Sequence, residues 1–312
     1  MSYSSSTRYI VLEIGPFDES SIGGIAILQK MDRSRLCYSN HCFTEHWLIT
    51  DNTLRSIFVI AFVDERVPFL VRTILQVQIC VTSRDCMIAW LLDRLEQGSK
   101  ASVCFANSNL LTLLHRRKSA SLIEDFIVLN DGIGVDLASR LLYGAPFPEN
   151  LTGTDFTPAL LVKAGSRAKV FLFGARPSIV AKAAHSFRDR LGVQIVGVQD
   201  GYGWSGAPDE LIARINESGA NIVLVALGNT AQEKWIRDYA PKMRACLFIG
   251  VGALFDFEAN AVARAPLFVQ KLRMEWLFRL SQEPYRLGRR YTLDLLVFAG
   301  AVIGQRLELD PR

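Results

Sequence analysis

The 312-residue sequence predicts an α/β protein: a doubly wound, mostly parallel, Rossmann-like sheet with a basic helical appendage at its C-terminus. Three observations carry this expectation. From about residue 73 onward, short apolar runs alternate with segments of helical periodicity, the rhythm of strands joined by crossover helices. The runs are almost wholly apolar, as in "DFIVLN", "AKVFLFGA" and "ANIVLVALG", which suits strands covered by helices on both faces. After residue 264 the alternation gives way to basic, aromatic helical sequence. Seven Lys and Arg against two Glu lie between Arg264 and Arg290, an excess of five where the whole chain carries only +4.

Three segments follow: an N-terminal extension over 1–72, the α/β core over 73–263 and the basic, aromatic segment over 264–312. In the first, "YIVLEIGPFDESSIGGIAIL" reads as a strand, a turn and a helix start, and the rest has no clear period; no role is assigned to it. "ILQVQICV" then reads as one strand, and "SRDCMIAWLLDRLEQGS" as a helix capped by Ser83. "ASVCFANS" is a strand, "NLLTLLHRR" a helix, "DFIVLN" a strand, and "VDLASRLLYG" a helix closed by Gly144 before Pro146. "LTGTDF" reads as a turn ahead of a helix "PALLVKAG". Strands "AKVFLFGA", "VQIVGVQDG", "ANIVLVALG" and "ACLFIGVGALFDF" then alternate with helices "PSIVAKAAHSFRDRLG", "PDELIARINESG" and "TAQEKWIRDYA"; Pro177 stands in the first turn of its helix.

Composition narrows the function. Half the residues are hydrophobic and 21% charged, enough apolar material for a large core. A net charge of +4 gives no polyanion signature, so no nucleic acid is expected as a partner. The six cysteines show no CxxC pair and no nearby histidine cluster, which reads as mostly buried, reduced thiols in a cytosolic protein. No signal-peptide pattern opens the chain. The longest apolar stretches, 57–63 and 295–304, are too short to span a bilayer. A cytosolic protein without a spanning helix is expected, and a peripheral membrane contact is left open.

The chemistry-bearing residues fall where strands should end. "NDGIGVDLASRLLYG" places Gly132-x-Gly134 after an apolar strand, the start of a dinucleotide fingerprint. The third glycine is missing, Leu137 standing there, and Asp131 would repel a pyrophosphate. A nicotinamide-dependent oxidoreductase therefore has little behind it. Asp131 is either a cap for the following helix or a general base reached across flexible glycine backbone. In "LTGTDF", Thr152, Thr154 and Asp155 suit either capping or an anion or sugar. Gly228 and Asn229 end a buried strand; Gln232 and Glu233 then open a helix, an amide and a carboxylate able to read hydroxyls or a base edge. Gly250 and Gly252 do the same on a neighbouring strand, which suggests one nucleotide pocket. No Asp-x-Asp triplet is present, so no metal is predicted, and any diphosphate would be met by arginines and backbone dipoles.

Four segments in order, "NDGIGVDLASRLLYGAPFPENLTGTDFTPALL", "KVFLFGARPSIVAKAA", "VLVALGNTAQEKWI" and "GVGALFDF" continuing to "RAPLFVQKLRMEWLFRLSQEPYRLGRRY", resemble the WecG/TagA/CpsF family of bacterial glycosyltransferases over about residues 73–291. The resemblance implies inverting transfer of a hexose or N-acetylhexosamine from a UDP-sugar to a polyprenyl-diphosphate-linked saccharide. That places the chain in exopolysaccharide or cell-surface polysaccharide synthesis, at the inner face of the plasma membrane. It implies Asp131 as catalytic base. Asn107, Gly132, Thr154, Asp155, Gly174, Gly228, Asn229, Gln232, Glu233, Gly252 and Asp256 fall on the donor side, as do Lys234 and Trp235, which complete the "QEKW" motif. Arg264, Arg279, Arg286, Arg289 and Arg290 are implied for the acceptor diphosphate and the membrane surface. Phe105 stands where the family commonly has Thr, and the residues before Gln232 and Arg264 also depart from the pattern; these positions bear on the donor sugar. The alternative is a non-catalytic nucleotide- or lipid-binding protein with a degenerate transferase site, and a homo-oligomer is left open.

Overall fold

A computed structural model of the chain describes residues 9–14, 49–50, 57–62, 68–204, 208–266, 269, 275–285, 288 and 292–309. It divides into two units, Met1–Arg72 and Thr73–Arg312. In the first, β1 (Tyr9–Ile14), β2 (Ile49–Thr50) and β3 (Ile57–Phe62) form an antiparallel sheet with β3 in the middle. The strand expected at "YIVLEI" is there; the helix start expected after it lies outside the described residues.

The run "ILQVQICV" is not one strand. It bends between β4 (Leu70–Ile74) and β5 (Val77–Val81), with Leu75 at φ 49° and Gln76 at φ 68°. Two consecutive left-handed residues make the turn that a tight hairpin favours, here without the usual Asn or Gly. Its strain is offset from elsewhere: Leu75 is buried, and its N–H donates to Oε1 of Gln305 at 2.9 Å. Nε2 of Gln305 donates to the Thr73 carbonyl at 3.0 Å.

Next comes helix α1 (Arg84–Glu96), with the Ser83 hydroxyl accepting from the Cys86 N–H as its cap. The core is a six-stranded parallel sheet made by β6 (Ala101–Ala106), β7 (Ile127–Asn130), β8 (Lys169–Gly174), β9 (Gln194–Gln199), β10 (Ile222–Ala226) and β11 (Leu247–Gly250), in the order β7-β6-β11-β10-β8-β9. One cross-sheet row runs Ile127, Val103, Ile249, Leu224, Leu172, Val198, aliphatic throughout. Helices cover both faces: α2 (Ser108–Arg116), α3 (Ile133–Tyr143), α4 (Gly153–Ala164), α5 (Pro177–Leu191), α6 (Pro208–Glu217), α7 (Ala231–Tyr239) and the short α8 (Leu254–Glu258). Gly144 and Gly192 close α3 and α5 in the left-handed conformation.

Helix α4 starts at Gly153, earlier than expected, so Thr154 and Asp155 lie in its first turn and Pro158 inside it. Beyond the core come α9 (Glu275–Gln282) and α10 (Leu293–Leu309). The latter packs on α2 and α3, burying Phe298 and Val302 in the main core cluster, so it belongs to the same unit as the sheet. Among the described residues no helix is long and apolar enough to cross a membrane. Cys80, Cys104 and Cys246 are buried free thiols, as expected; Cys86 is disulfide-bonded, which the scatter of cysteines did not suggest.

Candidate active site

Because the six strands are parallel, all their carboxyl ends open on one edge. That edge carries Asn107 after β6, Asp131 and Gly132 after β7, Asp200 after β9, Gly228 and Asn229 after β10, and Gly252 after β11. The chain leaves β8 toward the outer strand β9 but leaves β10 toward β11 on the other side. The connections diverge between β8 and β10, the position where open α/β sheets form a ligand crevice. Gly174 sits there at φ 121°, and a Cβ on it would come within 2.3 Å of the Ala226 carbonyl oxygen. Only glycine fits. The loop after β9 leans on the same place, with the Gly201 N–H donating to the Ala175 carbonyl at 2.8 Å. The Asp200 carboxylate accepts from the N–H groups of Gly203 (2.7 Å) and Tyr202 (2.9 Å), which hold its pKa below the usual range. Tyr202 stands on this turn 70% exposed. Sequence reasoning missed it; the available signal was an aromatic inside the Asp-Gly-Tyr-Gly turn.

At the β7 end, the Asp131 N–H continues the ladder to the Ala106 carbonyl at 2.9 Å, and the residue is half-buried. The segment 149–151 is strapped across this end. Asn130 Nδ2 donates to the Glu149 carbonyl (2.9 Å), the Leu151 N–H to the Asn130 carbonyl (3.0 Å), and the Gly132 N–H to Asn150 Oδ1 (2.8 Å). The two glycines of the motif have separate roles. Gly132 supplies a φ of 92° at the entry to α3, with open space where a Cβ would be. Gly134 lets α3 approach α2, since a Cβ there would lie 3.3 Å from Ser108 Cβ. A dinucleotide cradle would leave the first N–H groups free for phosphate, but here Asn150 already takes that of Gly132.

The ends of β6 and β10 are tied together: Asn107 Oδ1 accepts from Leu110 N as the α2 cap (3.0 Å) and from Asn229 Nδ2 (3.2 Å). Phe105 turns its ring to the loop before α4. A Cβ on Gly153 would be 2.9 Å from that ring, and Phe156 meets it edge-on with centroids 6.0 Å apart.

Gln232 and Glu233 turn inward. Gln232 Oε1 accepts from the Gly252 N–H (3.1 Å) and its Nε2 donates to Glu233 Oε1 (2.8 Å). Glu233 Oε2 accepts from the Thr230 N–H (2.6 Å), half of a capping box that starts α7. Both side chains are buried, and burial raises the Glu233 pKa despite its hydrogen bonds to Gln232 and Thr230. A Cβ on Gly250 would sit 2.9 Å from Gln232 Nε2, so that glycine makes room for the amide. The pair therefore fixes the loops after β10 and β11 from below rather than lining their exposed rim.

A charged corner closes the other side. Thr152 Oγ1 donates to Asp155 Oδ2 at 2.9 Å and lies 3.1 Å from the Thr154 hydroxyl. Arg264 donates to Asp155 Oδ1, and its Nε is 3.9 Å from Glu275 Oε1. Burial raises the Glu275 pKa, partly offset by Arg264. Arg279 stacks over Phe257, 5.0 Å from the ring centroid. The carbonyl of the neighbouring Asp256 accepts from the Ala261 N–H at 2.9 Å. Arg286, Arg289 and Arg290 lie outside the described residues. Among the described residues no group of three or more His, Cys, Asp or Glu is placed to share a metal ion.

An open, six-stranded parallel sheet with helices on both faces, its glycines, amides and carboxylates gathered at the strand ends, defines a doubly wound α/β domain. Residues 72–312 match the glycosyl transferase WecG/TagA/CpsF family, and the chain belongs to that family. The match takes in the C-terminal helices as well as the sheet.

Proposed function

We propose that the chain transfers a sugar, with inversion, from a UDP-sugar to a polyprenyl-diphosphate-linked saccharide in exopolysaccharide or cell-surface polysaccharide synthesis. It works peripherally at the inner face of the plasma membrane. The observation that carries this is the β7 end: a carboxylate, Asp131, next to a glycine with open space beside it, on the same edge as the β8/β10 crevice. The nucleotide occupies the crevice, with Tyr202 offering a ring to the base. Asn107, Gly228 and Asn229 face the sugar and diphosphate, while Gln232 and Glu233 hold those loops in place. Asp131 removes the acceptor hydroxyl proton as that oxygen attacks the anomeric carbon. The bond to UDP breaks on the opposite face, and arginines and helix N-termini offset the charge growing on the leaving diphosphate. The reading uses no metal. The basic C-terminal segment meets the acceptor diphosphate and the anionic bilayer surface.

The test is transfer from a panel of UDP-sugars into membrane extracts by wild type and Asp131→Asn. The variant is expected to fold normally and to lose about 10²–10⁴-fold in rate. Turnover near wild type refutes Asp131 as base. UDP-sugar binding without transfer by the wild type would instead identify a non-catalytic binding protein.

A further inference from the structure

On the flank of the unit, away from the inward-facing Gln232 and Glu233, a groove of about 330 Å³ lies between the end of α2 and the start of α7. Arg117 enters it from the C-cap of α2, Lys234 and Arg237 from one face of α7, and Ser119, Ser121 and Thr230 line it between them. Among the described residues no carboxylate lines it. Lys234 and Arg237 share one carboxylate, Asp238, at 2.7 and 3.0 Å. The bond Arg117 makes here is to a neutral group, the Thr230 hydroxyl at 3.3 Å. Ser119 precedes a short 3₁₀ turn, Ala120–Ile123, without using its hydroxyl as a cap. Three cations line the groove against one paired carboxylate outside its lining, which leaves it net positive, with donors arriving from two separate elements.

We infer that this groove is a second anion site and that it takes a phosphate group. A guanidinium fork, an ammonium and hydroxyls converging from different directions suit a tetrahedral oxyanion. Among the described residues no aromatic ring lines the groove to hold a base. Thr230 forms part of its wall and Asn229 beside it bonds Asn107, so a bound phosphate braces the loop between β10 and α7. The phosphate comes from an anionic lipid headgroup or is free in solution. The lipid source rests on the peripheral-membrane reading above; phosphate binding itself does not.

The test uses the full chain, with inorganic phosphate titrated by calorimetry and sedimentation with phosphatidylglycerol or phosphatidylcholine vesicles. R117Q/K234Q is compared with K169Q/K182Q, which removes the same charge elsewhere, and circular dichroism checks both folds. R117Q alone serves if the double variant misfolds. Phosphate affinity is expected to fall roughly tenfold or more in R117Q/K234Q and to hold in the control. A matching loss of phosphatidylglycerol binding identifies the headgroup as source, and a loss confined to inorganic phosphate identifies the free anion. Equal behaviour of the two double variants toward both ligands, or no binding of either ligand by wild type, overturns the site. The Asp131→Asn transfer assay involves none of these residues, so the two readings fail separately.

Discussion

Replacing Glu233 by glutamine keeps the size and shape of a fully buried side chain, yet it is expected to destabilise the protein. The reason is a count of donors along one chain of hydrogen bonds. Both ends are fixed backbone donors, the N–H groups of Thr230 and Gly252. Between them stand Glu233, which only accepts, and Gln232, which donates on one side and accepts on the other. With glutamine at 233 the chain holds one donor too many, and no pair of amide flips removes the clash. One buried donor is left unmatched, at about 1–3 kcal/mol. For the unit Thr73–Arg312 this lowers Tm by roughly 2–12 °C. Removing a buried charge works in the opposite sense. Burial raises the Glu233 pKa, and a protonated Glu233 carries the same surplus hydrogen as glutamine, so the count applies to the ionised side chain and the melts are compared at pH 8. The exchanged pair Q232E/E233Q restores the count: glutamine 233 accepts from Thr230 and donates to glutamate 232, which accepts from Gly252. Thermal melts of the three proteins decide the matter. E233Q as stable as wild type, or an exchanged pair no better than E233Q, refutes the reasoning.

Gly174→Ala is expected to cost about 2–4 kcal/mol, because its φ is 121° and its Cβ would lie 2.3 Å from the Ala226 carbonyl oxygen. Gly219→Ala, also at positive φ but with nothing near its Cβ, is expected to cost only about 1–2 kcal/mol. Equal melting temperatures for the two variants refute the close-approach argument. Arg264→Gln breaks a pair with Asp155 in which the side chains are 40% and 38% exposed, so stability is expected to drop by under about 1 kcal/mol. A fall in transfer of about tenfold or more, not rescued by lysine, marks the guanidinium as part of the site; unchanged transfer removes it.

The sheet was legible because strands buried on both faces must be continuous apolar runs, and β6, β7, β8, β10 and β11 each fell within one; β9, an edge strand with Gln at both ends, was legible from its place in the alternation. Parallel strands also put their ends on one edge, so Asp131, Gly132, Gly228, Asn229 and Gly252 could be gathered before the fold was known, while Asn107 was added by the family resemblance. The Leu75–Gln76 turn was hidden because its partner Gln305 is 230 residues away and neither turn residue is Gly or Asn. The start of α4 was hidden behind Pro158, which usually opens a helix rather than sitting inside one.

Gln232 and Glu233 teach a different point. By residue type they belong beside a ligand, and the motif around them suggests it. By spacing they belong inside, since Gln232 precedes Trp235 and Ile236 by three and four positions and Glu233 precedes Ile236 by three. The structure follows the spacing, burying all four residues on one face of α7. A buried amide and carboxylate are tolerable only when their polar atoms find partners. Here the partners are two backbone N–H groups at successive strand ends. A polar pair at core spacing can thus act on a site by shaping its loops, which predicts that E233Q weakens UDP-sugar binding while Q232E/E233Q restores it along with stability. Restored stability without restored binding would mean that the pair touches the donor directly.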